Sequence, residues 1–171
     1  MLFPGKDKKE ETIEAILLNN YNSYYRLAYS YVHNDADAAD IVQNGAYKAI
    51  LNSGSLKEEA FASTWLYRIM LNEIFRFLKK EKACGLLLTP LGDHEETLPG
   101  NEDAYEDVDL KNALDKLPAK DKAVIELKYF EELTFEEIAG ALEENVNTVK
   151  SRLYRGLKKL KLDLSDAWQW E

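Results

Sequence analysis

Residues 133–161 read LTFEEIAGALEENVNTVKSRLYRGLKKLK, and two helical signals follow one another within them. Leu133-Thr134-Phe135-Glu136-Glu137-Ile138 is a helix start: Thr134 and Glu137 form an S/T-x-x-E capping box, and Leu133 is spaced to staple onto Ile138. From Asn145 onward Val146, Val149, Leu153, Leu157 and Leu160 recur at spacings of three and four, which makes one apolar stripe on a helix. Thr148, Ser151, Arg152, Arg155, Lys158 and Lys159 fall on the opposite side. Between Thr148 and Lys161 there are six basic residues and no acidic one. A short capped helix, a brief turn and a longer basic amphipathic helix make the pattern of a helix-turn-helix. The spacing predicts helices over Thr134–Glu143 and Asn145–Leu162.

That cationic face stands out because the whole chain is acidic, with a formal charge of −9 over 171 residues. The excess is local. Residues 1–82 and 111–171 are nearly neutral, and residues 83–110 carry eight acidic side chains and no basic one. Phosphate contacts are short-ranged, since salt screens beyond about 10 Å, so the net charge does not argue against nucleic acid. With 46% hydrophobic and 31% charged residues the chain suits one ordinary domain or two small ones. A lone cysteine, Cys84, has no internal disulfide partner. The N-terminus turns charged before a signal core could form, and no apolar run approaches a membrane span. A cytoplasmic location is expected.

The chain as a whole divides into two helical blocks, 10–82 and 106–164, around an acidic segment, 83–105, and the helix-turn-helix closes the second block. That segment holds Gly85, Pro90, Gly92, Pro99 and Gly100, which interrupt helix and strand alike. Its length suits a linker between domains, averaging roughly 25 Å between its ends if flexible. Leu86, Leu87, Leu88 and Leu91 suit packing on a neighbouring domain or docking in a partner. The first block reads as one helix from Ile13 to His33, a second beginning at Asp37 as N-cap, and a third from Ser63 or Thr64 to Lys82. The second block adds helices over Val108–Lys116 and Asp121–Phe130. The fold class is all-α.

Amide, hydroxyl and guanidinium groups at the start of a recognition helix match base edges and phosphates, which singles out Asn147, Thr148, Ser151, Arg152 and Arg155; Lys158 and Lys159 suit phosphates further along. The plain alternative is a solvated cationic face. On the third helix Arg68, Asn72, Arg76 and Lys79 share one side with Phe75 beside them, a combination suited to unstacked bases, or else to solvent with the rings in the core. Asp40, Gln43, Asn44, Tyr47 and Lys48 line the wet side of the second helix. His33 and His94 lie far apart, and no zinc-ligand spacing, phosphate loop or nucleophile elbow is present. No enzyme and no cofactor are expected.

DADAADIVQ (35–43), TWLYRI (64–69), LPAKDKAVIELKYF (117–130) and TVKSRL (148–153) occur in this order. Together they resemble the sigma-70 family of RNA polymerase sigma factors, in the small extracytoplasmic-function group, over about residues 12–82 and 106–163. The resemblance implies two helical domains: 10–82 like sigma region 2, and 106–164 like region 4 with its helix-turn-helix. By position it implies polymerase-binding roles for Asp40, Gln43, Asn44 and Lys48. Arg68, Asn72, Arg76, Lys79 and Lys80, with segment 52–59, would melt and read the −10 element. Asn147, Thr148, Lys150, Ser151, Arg152, Arg155, Lys158 and Lys159 would read the −35 element. The implied partners are the clamp helices and flap of RNA polymerase core, promoter DNA both double-stranded and melted, and an anti-sigma factor, often membrane-bound. The factor would act as a monomer on polymerase, in a stress or envelope response. Two departures stand out. Asn44 and Gly45 are unusual in their helix, and Glu143 and Glu144 occupy turn positions where glycine and an apolar residue are common. Those glutamates are expected to shift or loosen the recognition helix, and they leave a second reading open: a helical protein-interaction module that does not read DNA. A dimeric repressor or activator using the same motif is a third.

Overall fold

Amphipathic helices shorter than about 15 residues are marginal alone and are held by packing their apolar stripes together, and the fold follows from that. A computed structural model describes residues 7–85 and 103–167, all helices and turns without a strand among them. The helices are α1 (Lys8–Asn19), α2 (Tyr21–Val32), α3 (Asp35–Leu51), α4 (Ala62–Gly85), α5 (Asp103–Asp115), α6 (Ala119–Ile125), α7 (Phe135–Leu142) and α8 (Val146–Ala167). Two 3-10 turns, Ser53–Ser55 and Glu59–Phe61, connect α3 to α4, and a π turn over Glu126–Phe130 widens the end of α6.

The expected helix over 13–33 is two helices, α1 and α2, broken at Asn20. A straight helix would put Asn20 on the inward stripe between Leu17 and Tyr24, and asparagine prefers local turn conformations to a buried helical site. The N-cap of α3 is Asn34, whose Oδ1 accepts from the Asp37 amide at 2.9 Å, and not Asp37 itself. In the second block the capping box forms as expected: the Glu137 amide donates to Thr134 Oγ1 at 3.1 Å. Leu133 and Ile138 are both buried beside it. Asn145 caps α8 in the same way, accepting from the Thr148 amide at 2.8 Å.

In the first block α3 packs closely on α4. A Cβ at Gly45 would lie 2.5 Å from Met70 Sδ, so the glycine that weakens the helix by about 1 kcal/mol is what lets the two axes approach. Gly156 plays the same part for α8, where a Cβ would meet Ile125 Cδ1 at 2.8 Å. The expected stripe of α8 faces inward, with Val149, Leu153 and Leu160 buried. Each contributes about 1.5–3 kcal/mol on burial. The acidic segment is shorter than 83–105, because α4 continues to Gly85 and α5 begins at Asp103. Cys84 therefore sits, exposed, on the last turn of α4. Leu86, Leu87, Leu88, Leu91 and His94 fall outside the described residues.

The two blocks are packed against each other. α7 lies on α4, and α2 meets the α6 side of the second block. Buried apolar residues of both blocks join in one core, and hydrogen bonds cross the contact beside it. Tyr31 donates to the Ala119 carbonyl at 2.7 Å, Tyr67 to Glu131 at 3.0 Å and Ser30 to Glu126 at 2.8 Å, while the buried Lys122 ammonium donates to the Ser30 carbonyl. His33 Nε2 lies 2.9 Å from Asp115.

Candidate nucleic-acid interface

The exposed face of α8 is set by one buried carboxylate. Asp121, on the first turn of α6, is 1% exposed and receives Arg152 Nη1 at 3.0 Å, Arg155 Nε at 2.9 Å and Arg155 Nη2 at 2.8 Å. Burial opposes its charge, yet the hydrogen bonds from Arg155 and Arg152 outweigh that and hold its carboxyl below the ordinary range. Glu144, in the turn, takes the other side of Arg152, accepting from Nε at 2.7 Å and Nη2 at 3.0 Å, with Lys120 3.3 Å away. Those bonds from Arg152 also keep the Glu144 carboxyl below its usual value.

This corrects two expectations. Arg152, its side chain 21% exposed, is turned back into the protein as a strut between α6, the turn and α8. Arg155 is shared: its guanidinium is tied to Asp121 while its side chain is 62% exposed. The turn is not loosened by its glutamates. Glu143 adopts the left-handed conformation (φ 56°) that glycine would take more easily, and its amide still closes the end of α7 on the Ala139 carbonyl. Glu144 replaces an apolar plug with a carboxylate that is fully paired, which is the condition for half-burying a charge.

Asn147, Lys150, Ser151 and Lys158 are exposed as expected, and Thr148 is half-buried. Lys159 is exposed but donates to the Lys116 carbonyl at 3.0 Å. Tyr154, 63% exposed between Lys150 and Lys158, belongs to the same surface. Sequence reasoning passed over it, although its position one helical turn from both lysines places it there.

On α4, Asn72, Arg76, Lys79 and Lys80 are exposed. Arg68 is not free. It lies under α7, where Nε and Nη2 donate to the Gly140 carbonyl at 3.1 and 3.0 Å and Nη1 stands 3.5 Å from Glu143. Phe75 packs edge-on against Tyr31, so it serves the core. In front of Arg68 opens a cleft of about 610 Å³. Leu56, Lys57, Phe61 and Trp65 line one wall and Glu136 and Glu137 of α7 the other. Phe61, 61% exposed, is a second aromatic that sequence reasoning missed. On α3, Asp40, Gln43, Asn44 and Tyr47 form an exposed stripe. Lys48 departs from it by reaching inward to the buried Glu73 of α4.

No group of side chains among the described residues is arranged to hold a metal ion, and no described helix is long and apolar enough to cross a membrane. The family model for Sigma-70 region 2 matches residues 17–84 and that for Sigma-70 region 4 matches residues 107–160. The chain is 39% identical over 166 residues to the RNA polymerase sigma factor SigV of Bacillus subtilis (strain 168), covering 92% of this chain and 96% of that protein. It is 34% identical over 157 residues to the ECF RNA polymerase sigma factor SigW of the same organism, covering 83% of each. In fold it is similar to the sigma factor RpoE of Bartonella quintana, crystallised with the anti-sigma factor NepR, at 23% identity and a TM-score of 0.69 over 89% of this chain and 96% of that one. CnrH, solved with the cytosolic domain of CnrY, is similar at 22% identity and a TM-score of 0.66 over 91% of this chain and 88% of that one. With both regions matched in order and relatives of this similarity along most of its length, the chain belongs to the sigma-70 family of RNA polymerase sigma factors, in its extracytoplasmic-function group.

Proposed function

We propose that this chain is a dissociable, non-catalytic subunit that gives RNA polymerase its promoter specificity and assists strand opening, in a stress or envelope response. The observation that carries the reading is the exposed cationic face of α8, fixed in orientation by the buried Asp121. Lys150, Ser151, Tyr154, Arg155 and Lys158 meet the −35 duplex. Arg152 is a positioning residue. Arg76, Asn72, Lys79 and Lys80, with Lys57, Phe61 and Trp65 of the cleft, take the melted −10 strand. Asp40, Gln43, Asn44 and Tyr47 meet the polymerase clamp, and the second domain meets the flap.

The protein acts as a monomer on polymerase in the cytoplasm. The solved neighbour RpoE carries the anti-sigma factor NepR, and CnrH carries the cytosolic domain of CnrY; an anti-sigma factor, anchored at the inner face of the membrane, is the partner expected here. The alternative, a protein-binding module that does not read DNA, was motivated by Glu143 and Glu144. Its motive weakens because Glu144 is matched by Arg152 and Lys120, and Glu143 approaches Arg68. Reconstituted transcription tests the choice. Core polymerase plus this chain initiates at a discrete set of start sites on genomic DNA; core binding without any specific start would favour the alternative.

A further inference from the structure

α2 carries Tyr21, Tyr25, Tyr29 and His33 at spacings of four, so their rings form a ladder along one face. Tyr25 stacks on both neighbouring tyrosines, with ring centres 6.2 and 6.1 Å apart and interplanar angles of 23° and 21°. Its hydroxyl donates to Asp35, which fixes the ring. Where this ladder passes α5 and α6 it leaves a hollow of about 280 Å³, walled by Tyr25, Tyr29 and the buried Leu114. An apolar cavity of roughly 150 Å³ holds a benzene ring, so two fused rings with a short polar arm fit here. The hollow shares no residue with the surfaces assigned above to DNA and to polymerase.

Its polar groups divide into a satisfied floor and an unsatisfied rim. On the floor the buried Lys122 ammonium donates to Asp115 at 2.7 Å and to the Ser30 carbonyl, and Asp115 also meets His33 Nε2 at 2.9 Å. Burial opposes the Asp115 charge, but the hydrogen bonds from His33 and Lys122 outweigh it and hold the carboxyl below its ordinary range. Glu126 accepts from the Ser30 hydroxyl at 2.8 Å, and burial pushes its carboxyl up to about 7, so at neutral pH it carries only part of a charge. Arg26 and Lys111 complete the lining and are exposed. Arg26 touches only Ser23 Oγ, at 3.4 Å, and neither cation has a carboxylate partner among the described residues. Aromatic faces inside and two unpaired cations at the rim are complementary to a flat anion.

We propose that this hollow binds a small aromatic carboxylate, with its rings against Tyr25, Tyr29 and Leu114 and its carboxylate held by Arg26 and Lys111. Arg26 offers the planar fork that matches a carboxylate, and Lys111 adds a point charge. A cationic ring of the same shape gains the tyrosine faces but is repelled by both rim cations, and a neutral one leaves their charges unmatched. The order of affinity is therefore anion, neutral, cation. The occupant touches α2 and α5 at once, so it stabilises the folded chain in proportion to its occupancy.

The test titrates the nitrogen-labelled full chain with 2-naphthoate at neutral pH and low salt, and with 2-naphthylmethanol and 2-naphthylmethylamine as neutral and cationic counterparts. 2-Naphthoate is expected to bind with a Kd of about 1 mM or tighter, as a ligand of about thirteen heavy atoms does at ordinary efficiency. Amide shifts are expected to gather at 25–33 and 111–126, and the amine to bind about tenfold more weakly or worse. Arg26→Gln with Lys111→Gln is expected to weaken 2-naphthoate about tenfold, and Arg26→Lys alone to retain most of the affinity. Tyr29→Ser is expected to weaken it about fivefold. These side chains are exposed, so helical circular dichroism should be unchanged in every variant. No saturable binding at about ten times that concentration, shifts gathered on another face, an unaltered Kd in the double variant or in Tyr29→Ser, or an amine that binds as tightly as the carboxylate each overturns the site.

Discussion

Replacing Asp121 with asparagine removes the charge on which the recognition helix is oriented. In the protein that carboxylate is 1% exposed and takes three hydrogen bonds from two guanidinium groups. Removing one partner of a buried pair costs about 3–5 kcal/mol. Two features reduce the figure here. Arg152 keeps both of its bonds to Glu144, and Arg155 is exposed enough to turn to water. An asparagine amide also turns a donor toward donors, so part of the cost persists, and the expected loss is about 2–3 kcal/mol. Urea denaturation of the full chain measures it as a lower midpoint at unchanged slope. The sign with pH follows from the lowered carboxyl. Asp121 stabilises fully above the ordinary value of 3.8, and the contribution fades as pH falls through the folded value. The difference between wild type and Asp121→Asn should therefore shrink toward pH 3. Affinity for −35 duplex should fall as well, because Arg152 no longer fixes α8 against α6. A variant within about 0.5 kcal/mol of wild type at pH 7 would refute the anchoring role.

Further outcomes follow from the same geometry. Gly45→Val should cost about 1–3 kcal/mol in thermal unfolding, since its Cβ meets Met70 Sδ at 2.5 Å; Gly45→Ala should be milder, because Met70 can turn and alanine favours the helix. Lys158→Ala, on an exposed position of α8, should lower the salt slope of duplex binding by about 1 with stability unchanged, and an unaltered slope would remove it from the phosphate contacts. Glu126 is buried where the Ser30 hydroxyl, with one proton to give, lies 2.7 Å from the Leu27 carbonyl and 2.8 Å from Glu126. Burial pushes its carboxyl up to about 7, against the Ser30 hydrogen bond and the Lys122 charge and with Asp115 and Glu131 nearby. Closure of the two blocks then takes up a proton and weakens as pH rises from about 4.5 through about 7, by up to about 3 kcal/mol. Scattering across that range should see the chain expand with pH. Glu126→Gln should flatten the change, and an equally steep profile in that variant would point to another group.

Much of this protein was legible along the chain because the signals are local. The capping box at Thr134 and Glu137 and the stripe from Val146 to Leu160 depend on residues three and four apart, so they place α7 and α8 without knowledge of the rest. The four ordered motifs likewise carried the family. Local signals also misled where a global position decided the outcome. Asn20 reads as one polar residue within a helix until the core leaves no place for it on the inward stripe. Asn34, not Asp37, caps α3, one residue after the chain leaves α2 through a left-handed His33 (φ 52°).

The sequence by itself determined an all-helical chain with a basic helix set against an acidic background, and with it the candidate residues for both DNA elements. Only the tertiary structure decided which of those residues have free charges. Arg152 and Arg68 look the same as Arg76 in the sequence, but a guanidinium's role depends on which carboxylate or carbonyl stands within about 3 Å. Asp121 lies 31 residues from Arg152, and the Gly140 carbonyl lies 72 from Arg68. Helical periodicity says nothing about pairs so far apart in the chain; packing α6 under α8, and α7 onto α4, brings them together.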